Sequence, residues 1–195
     1  MVQSWLWALV SLLIAAASVA DVGNEIEMRS TDNAIQAANL RDSMALIAIY
    51  NATGGPFWTR KWDVDQPIDK WFGVTTNANG DVLELDLSNN NLFGNLPNEM
   101  SYLSELTILK LGFNDLRGNL PRSVGSMIKL QEIFLFENAL DLPIPDTIVN
   151  LKQLKILSLA SNNIPGEIPR RIGQMTNLEM LVLDGNDLSG EIPQS

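Results

Sequence analysis

Two carboxylates, Glu84 and Asp86, lie two residues apart in the stretch LELDL, so they would project from the same face of a β-strand. Glycoside hydrolases use such a pair as general acid and general base. A catalytic pair also needs burial that tunes its pKa values, and the sequence predicts no cleft around these residues. The chain contains no His and no Cys, which excludes Ser-His and Cys-His catalysis, zinc sites built on those residues and disulfides. We therefore predict no catalysis, no metal and no cofactor.

Length and charge narrow the remaining function classes. The chain has 195 residues, of which 46% are hydrophobic, which is enough for one folded domain with a substantial core. Its formal net charge of -10 repels phosphate backbones. We therefore predict that nucleic acid is not a partner, and recognition of another molecule becomes the principal hypothesis.

The first 20 residues, MVQSWLWALVSLLIAAASVA, carry no charged side chain and end in small residues, with Ser18 and Ala20 at positions that suit a signal-peptidase site. This pattern predicts a secretory signal peptide. The alternative is an uncleaved membrane anchor, since a run of this length just spans about 30 Å of hydrocarbon. Residues 21–31 are polar and are predicted to be a mobile leader. A secreted or cell-surface location follows, with membrane anchoring by residues 1–20 as the alternative.

The elements that position the carboxylates come from an internal repeat of 24 residues. Residues 79–195 contain five copies in register without a gap, beginning at residues 79, 103, 127, 151 and 175, and the last copy is incomplete. A repeat of this kind builds a solenoid, because each unit has an apolar edge that only its neighbours can bury. Each copy carries an LxL-type pair that forms a short strand, and these strands are predicted to stack into a parallel sheet.

Two further columns of the repeat are predicted to be structural. Position 12 is always asparagine, and a buried column of side-chain amides can pair the backbone groups that are freed where each strand leaves the sheet (Asn90, Asn114, Asn138, Asn162 and Asn186). Position 19 is always proline, which fixes the returning arm of each repeat (Pro97, Pro121, Pro145, Pro169 and Pro193). At position 16 four copies carry glycine and repeat three carries Leu142, which predicts a local change in its outer arm.

The motifs LFGNLP, LRGNLP, IPGEIP and LSGEIP resemble the LxGxIP signature of plant-type leucine-rich repeats, found in receptor-like proteins, receptor kinases and secreted wall-protein inhibitors. The segment from LIAIYNATGG to LELDLSNN is similar to the N-terminal cap of that family, including versions from single-celled algae, so the resemblance covers about residues 33–195. It implies an α/β leucine-rich-repeat solenoid of right-handed sense, with a parallel sheet on the concave face, an irregular or 3-10 convex side and a helical N-terminal cap.

The cap, predicted over residues 32–78, departs from the family pattern. Asp69 and Thr76 stand where the family usually places two disulfide-forming cysteines, so packing alone must hold the cap. We expect Trp58, Trp62 and Trp71 to cover the end of the solenoid, in preference to forming an exposed carbohydrate platform. The helical spacing of Leu40, Met44 and Ile47 predicts a capping helix within residues 32–51.

The concave face follows from strand alternation, which turns positions 6, 8 and 10 of each repeat outward. Six of these residues are apolar and would form one patch with an acidic rim, and such patches usually mark interaction sites. The predicted partner-binding residues are Glu84, Asp86, Ile108, Lys110, Glu132, Phe134, Phe136, Ile156, Ser158, Met180, Val182 and Asp184. The remaining outward positions hold Ser88, Gly112 and Ala160. The alternative is that the apolar residues only pack beneath their neighbours.

We therefore predict a recognition module that binds a protein or peptide, with the acidic rim favouring a basic partner. The alternative is a truncated ectodomain of a leucine-rich-repeat receptor-like kinase or a larger adhesive protein, because the sequence stops inside repeat five. The unpaired sheet edge of repeat five could also pair with a second copy of the chain, so we expect self-association through this edge. Asn51 begins the glycosylation sequon Asn51-Ala52-Thr53, at an expected exposed helix end.

Overall fold

The repeats fold as a stack of short strands that follows a single helix. The computed structural model describes residues 39–193, so the predictions for residues 1–20 and 21–31 lie outside the described residues. Helix α1 covers 39–52 of the described residues. The strands, in chain order, are β1 (Val74–Thr76), β2 (Val82–Asp86), β3 (Phe93–Asn95), β4 (Ile108–Lys110), β5 (Asp115–Arg117), β6 (Glu132–Phe134), β7 (Ile156–Ser158), β8 (Pro165–Glu167), β9 (Met180–Val182) and β10 (Asp187–Ser189). Short 3-10 helices lie at Gly55–Phe57, Ile68–Lys70, Asn98–Tyr102, Arg122–Ser126, Asp146–Asn150 and Ile172–Gln174.

The main sheet confirms the predicted solenoid. Within residues 39–193 its strand order is β1-β2-β4-β6-β7-β9, and every pair from β2 onward is parallel. Strand β1 belongs to the cap and pairs antiparallel with β2. The first inward position of repeats one to four is fully buried, at Leu85, Leu109, Ile133 and Leu157. Its equivalent in repeat five, Leu181, is 37% exposed, because β9 is the last strand of the sheet among the described residues.

The asparagine column forms the predicted hydrogen-bond ladder. Asn162 shows the pattern: its Nδ2 donates to the carbonyl oxygens of Leu135 and Leu159 at 3.0 Å, and its Oδ1 accepts the Leu140 N–H at 3.0 Å. Asn114, Asn138 and Asn186 repeat this arrangement. Because one amide pairs backbone groups of two consecutive repeats, the column ties the solenoid together along its length.

Each ladder bond between repeats points back toward the N-terminus. Asn138 donates to the Leu111 carbonyl and accepts the Leu116 N–H, and both partners lie in the preceding repeat. Asn90 has no repeat before it, and instead accepts the Arg60 N–H of the cap at 2.6 Å. Each repeat therefore completes the hydrogen bonding of the one that precedes it.

Repeat three interrupts the outer side of the solenoid, as Leu142 predicts. Strand β3 pairs with β5 and β8 pairs with β10, but repeat three contributes no strand between them. The four glycines at position 16 have φ between 71° and 100°, whereas the backbone of Leu142 does not adopt a left-handed conformation. A leucine avoids that conformation because its Cβ crowds the backbone, so the arm of repeat three takes another path.

Gly166→Ala tests this explanation. Gly166 has φ 85°, and a Cβ placed there would meet only Pro143 at an ordinary 3.5 Å, so backbone strain is the main penalty. We expect the substitution to lower the free energy of unfolding by about 1 to 2 kcal/mol. Leu142→Ala at the equivalent position of repeat three introduces no such strain. Urea denaturation of both variants compares them, and a Gly166→Ala variant as stable as the parent would contradict the explanation.

The cap is closed by packed aromatic rings, as predicted. Trp58, Trp62 and Trp71 are buried, and Trp62 stacks on Trp71 with centroids 4.7 Å apart. Tyr50 on α1 completes the cluster with an edge contact to Trp58 at 5.1 Å. Each indole N–H donates to a backbone carbonyl, so burial leaves no polar group unpaired. These rings are core, and the carbohydrate-platform alternative is wrong for them because they are covered.

Helix α1 is present, but the residues that it buries are not those whose spacing predicted it. Leu40 and Met44 are more than half exposed, and Ile47 is only partly buried. The face toward the core consists of Ala45, Leu46, Ile49 and the polar residue Asp42. Asp42 Oδ2 accepts the Val82 N–H at 2.7 Å, which joins the helix to the start of β2.

Candidate partner-binding face

The sheet positions predicted to bind a partner form two rows across the repeats. The first row follows position 6 and the second follows position 8, and the strand pairing sets each row in register. The first row contains Glu84, Ile108, Glu132, Ile156 and Met180, and the second contains Asp86, Lys110, Phe134, Ser158 and Val182. These ten residues are called the sheet face below, and their register confirms the predicted alternation.

Most side chains of the sheet face are half-buried. Ile108, Phe134, Ile156 and Val182 fall in this class, and Met180 is 52% exposed. Ser158 departs from the prediction because it is only 8% exposed. It lies between Phe134 and Val182 in its row, where these larger side chains cover it from solvent. The sheet face is therefore an apolar strip partly packed against itself, in which Ser158 offers little contact surface.

Position 10 lies beyond the strands, because all five repeat strands of the main sheet end at position 8. Phe136 is half-buried and leans toward repeat two, so that a Cβ added to Gly112 would lie 3.0 Å from its Cε1. Asp184, at the same position of repeat five, is exposed. Phe136 and Asp184 therefore border the sheet face without belonging to its strands.

Lys110 neutralises part of the predicted acidic rim. Its Nζ donates to Glu84 Oε1 at 2.6 Å across β2 and β4. This hydrogen bond raises the pKa of Lys110, against the opposing effect of desolvation, and the charges of Glu84, Asp86 and Glu132 add to the increase. Asp86 Oδ1 accepts the Ser88 N–H at 3.1 Å. Both carboxylates of the hypothetical acid and base pair thus have structural partners, which weakens the catalytic alternative.

Sequence alternation missed Phe113, which lies beside the sheet face. It occupies position 11 of repeat two, is 55% exposed and meets the ring of Phe136 edge-to-face at 4.9 Å. The signal available in the sequence was the preference of position 11 for residues that tolerate a left-handed backbone, such as Asn89 and Gly185. Phe113 and Phe136 are called the aromatic pair below.

Other predicted features fall elsewhere. Asn51 is exposed near the end of α1, whereas Thr53 of the same sequon is buried and its Oγ1 donates to the Ile49 carbonyl at 2.7 Å. Among residues 39–193 no three potential metal-ligating side chains cluster together. In the same part of the chain, no helix combines the length and apolar character needed to cross a membrane.

Comparisons with known proteins agree with the fold. A family model described as leucine rich repeat matches residues 129–188, and a second of the same description matches residues 82–103. A probable leucine-rich repeat receptor-like protein kinase of Arabidopsis thaliana is 41% identical over 54 residues, which is 27% of this chain and 6% of that protein. The chain therefore spans a small part of the length of this curated relative.

Solved structures cover more of the chain. One is the BIR3–SERK2 complex of Arabidopsis thaliana, with a TM-score of 0.69, 31% identity and coverage of 76% of this chain and 84% of that one. Another is the Arabidopsis receptor kinase HAESA in complex with the peptide hormone IDA and the co-receptor SERK1. It has a TM-score of 0.71, 33% identity and coverage of 78% of this chain but 26% of that one.

Proposed function

The chain belongs to the plant-type leucine-rich-repeat family, and from that premise we propose that it is a recognition module that binds a protein or peptide on its sheet face. The observation that carries the proposal is the central position of Phe134, flanked in its row by Lys110 and Ser158 and half-exposed on a sheet. Aromatic side chains in such positions act as anchors at interfaces. The HAESA structure, solved with a peptide hormone, supports a peptide as one class of partner.

The dimensions of the sheet face limit the partner. Five parallel strands at about 4.8 Å spacing extend over about 20 Å, which matches a short extended peptide or one edge of a small domain. The face also combines apolar side chains with carboxylates, so a partner needs apolar groups to bury as well as polar groups at its margin.

Charge favours a basic partner. The formal net charge is -10, and Asp86, Glu132 and Asp184 stand on or beside the sheet face while its one cation, Lys110, is held by Glu84. Opposite charge on a partner would accelerate association and orient it. We accordingly propose a basic, partly apolar peptide or protein surface, and no catalysis by this chain.

The proposal is tested by selecting a phage-displayed random peptide library against the immobilised full chain. We expect selected peptides to bind at least about tenfold more weakly to a variant with Phe134→Ala and Phe136→Ala, because loss of an anchor typically costs more than about 1 kcal/mol. Fluorescence anisotropy measures the affinity, and circular dichroism verifies the fold.

Phe57→Ala with Tyr102→Ala is the matched control, since both side chains are exposed aromatics outside the sheet face. Peptides that bind all three proteins equally, or that lose affinity only with the control variant, would show that the sheet face is not the binding surface.

A second proposal is that the chain forms part of a larger ectodomain, as in receptor-like kinases. Leu181 supports it, because its equivalents in the other repeats are fully buried and a further repeat stacked on β9 would cover it in the same way. A second copy of the chain would do so too, which makes self-association through β9 the competing proposal. Sedimentation at several protein concentrations separates the two, and sequencing of the downstream transcript tests for further repeats or a kinase.

The receptor-kinase relatives support an extracellular or cell-surface location. We propose further that residues 1–20 are a signal peptide, or else an anchor, and that Asn51 carries a glycan. Mass spectrometry of the chain expressed in a eukaryotic secretory host measures both the mature N-terminus and the mass lost on treatment with a glycosidase. An intact N-terminus would favour the anchor, and an unchanged mass would contradict glycosylation.

A further inference from the structure

Resting on the proposed function, we infer that the aromatic pair and Glu137 form a subsite for an arginine side chain of the basic partner. This subsite lies beside the sheet face, and sequence alternation identifies Phe136 but neither Phe113 nor Glu137. Three observations carry the inference: an unfavourable backbone conformation at Phe113, the geometry of its contact with Phe136, and the charge in the adjacent repeat.

The backbone at position 11 is left-handed in every repeat. Its φ values are 51° at Asn89, 57° at Phe113, 53° at Glu137, 53° at Ser161 and 66° at Gly185. Asparagine and glycine adopt this conformation readily, whereas a bulky aromatic residue there is unusual. The fold would accept a smaller residue at Phe113, so the exposed ring is not explained by the demands of the turn.

Packing does not explain the ring either. Phe113 is 55% exposed, and its edge-to-face partner Phe136 rests against Gly112, the residue that precedes Phe113. The absence of a side chain at Gly112 makes room for the Phe136 ring, which leaves Phe113 held on one side and open on the other. Two rings fixed in this way present a preorganised aromatic surface to a ligand.

Charge selects the ligand. Glu137 occupies in repeat three the position that Phe113 occupies in repeat two. Two backbone hydrogen bonds of 3.1 Å hold the two positions side by side: the Phe113 N–H donates to the Phe136 carbonyl, and the Asn114 N–H donates to the Glu137 carbonyl. Glu137 is exposed and forms no salt bridge within residues 39–193. An aromatic face attracts cations, and a carboxylate beside it accepts hydrogen bonds from them.

Arginine fits this combination better than lysine. Its planar guanidinium can stack on a ring while its N–H groups bind a carboxylate, which a compact ammonium group cannot do equally well. The chain already contains such a contact, because the guanidinium carbon of Arg60 lies 4.5 Å from the ring centroid of Phe72.

The test uses a fluorescein-labelled hexaarginine peptide with blocked ends, and a hexacitrulline peptide of nearly the same shape without charge. We expect the full chain to bind hexaarginine in preference to hexacitrulline at physiological salt. Phe113→Leu keeps an apolar side chain and the same backbone strain but removes the ring. We expect it to weaken hexaarginine binding by about three- to tenfold, as loss of a cation–π contact does, and Glu137→Gln to weaken it as well. Phe113→Trp should retain binding.

Phe57→Leu, an exposed phenylalanine on another part of the molecule, is the control and should leave binding unchanged. Equal binding of hexaarginine to the parent and to both Phe113→Leu and Glu137→Gln would overturn the inference, as would equal binding of hexacitrulline. In either case, library-selected peptides that lose affinity with the single substitution Phe134→Ala, at a residue outside the subsite, would leave the proposed function standing. If Phe113→Leu does not fold, Glu137→Gln decides the inference alone.

Discussion

We expect Asn162→Ala to lower the free energy of unfolding by about 2 to 3 kcal/mol. Asn162 is 6% exposed. Its side-chain amide donates to the Leu135 and Leu159 carbonyls and accepts the Leu140 N–H. Truncation leaves the buried Leu140 N–H without a partner and removes one of the two asparagine donors from each of the Leu135 and Leu159 carbonyls. Water cannot replace these bonds without entering the core between repeats three and four. The cost therefore exceeds that of losing one surface hydrogen bond.

Asn163→Ala is the matched control, because Asn163 is the next residue, is exposed and contributes only its backbone N–H to the Leu140 carbonyl. We expect it to change stability by less than about 0.5 kcal/mol. Urea denaturation followed by circular dichroism measures both variants. Two variants of equal stability would show that the ladder contributes little, and that apolar packing alone holds the repeats in register.

The second large effect is expected from Asp42, whose stability contribution should depend on pH. Burial of its carboxyl in the core face of α1 raises the pKa of Asp42 to about 6, the Val82 N–H opposes the increase, and the charges of Asp81 and Glu105 add to it. An unfolded aspartate has a pKa of about 3.9. The folded state therefore binds the Asp42 proton more tightly than the unfolded state does. This tighter binding stabilises the folded state fully below about pH 4, and the stabilisation is lost as pH rises through about 6.

The difference between the two pKa values corresponds to about 3 kcal/mol at pH 7.5. Asp42→Asn keeps an oxygen that can accept the Val82 N–H and removes the ionisation. We expect the variant to exceed the parent in stability at pH 7.5 and to match it at pH 4. Denaturation at both pH values gives the difference directly, so that other carboxylates cancel. Asp146→Asn, at an exposed residue that is not among the charges that raise the pKa of Asp42, is the control. A stability difference between Asp42→Asn and the parent that is the same at both pH values would contradict the prediction.

The sequence predicted features that repeat every 24 residues. The sheet register, the asparagine ladder and the buried leucines recur in each copy, so five aligned examples define one environment for each position. The interruption at Leu142 was also predictable, because a departure from a repeated glycine marks a departure from its backbone conformation. The buried tryptophans of the cap followed from the loss of its cysteines.

Features that depend on a single copy could not be predicted in this way. The Lys110–Glu84 ion pair joins different positions of two repeats. The Asp42–Val82 hydrogen bond joins the cap helix to repeat one, between residues 40 apart in the chain. Phe113 was missed because alternation holds only along a strand, and β4 ends at Lys110. Beyond that point the chain turns through the left-handed position, and side-chain direction no longer alternates.

The backward direction of the ladder gives assembly of the solenoid a polarity. Asn90 is anchored to the cap through Arg60, and Asn114, Asn138, Asn162 and Asn186 each supply bonds that the preceding repeat cannot supply for itself. A chain emerging from the ribosome presents the cap first, and every later repeat adds both its own strand and the missing amide of its predecessor. We therefore expect the ordered structure to grow in the same direction as synthesis, with the last repeat formed always lacking the hydrogen bond that the next asparagine will accept.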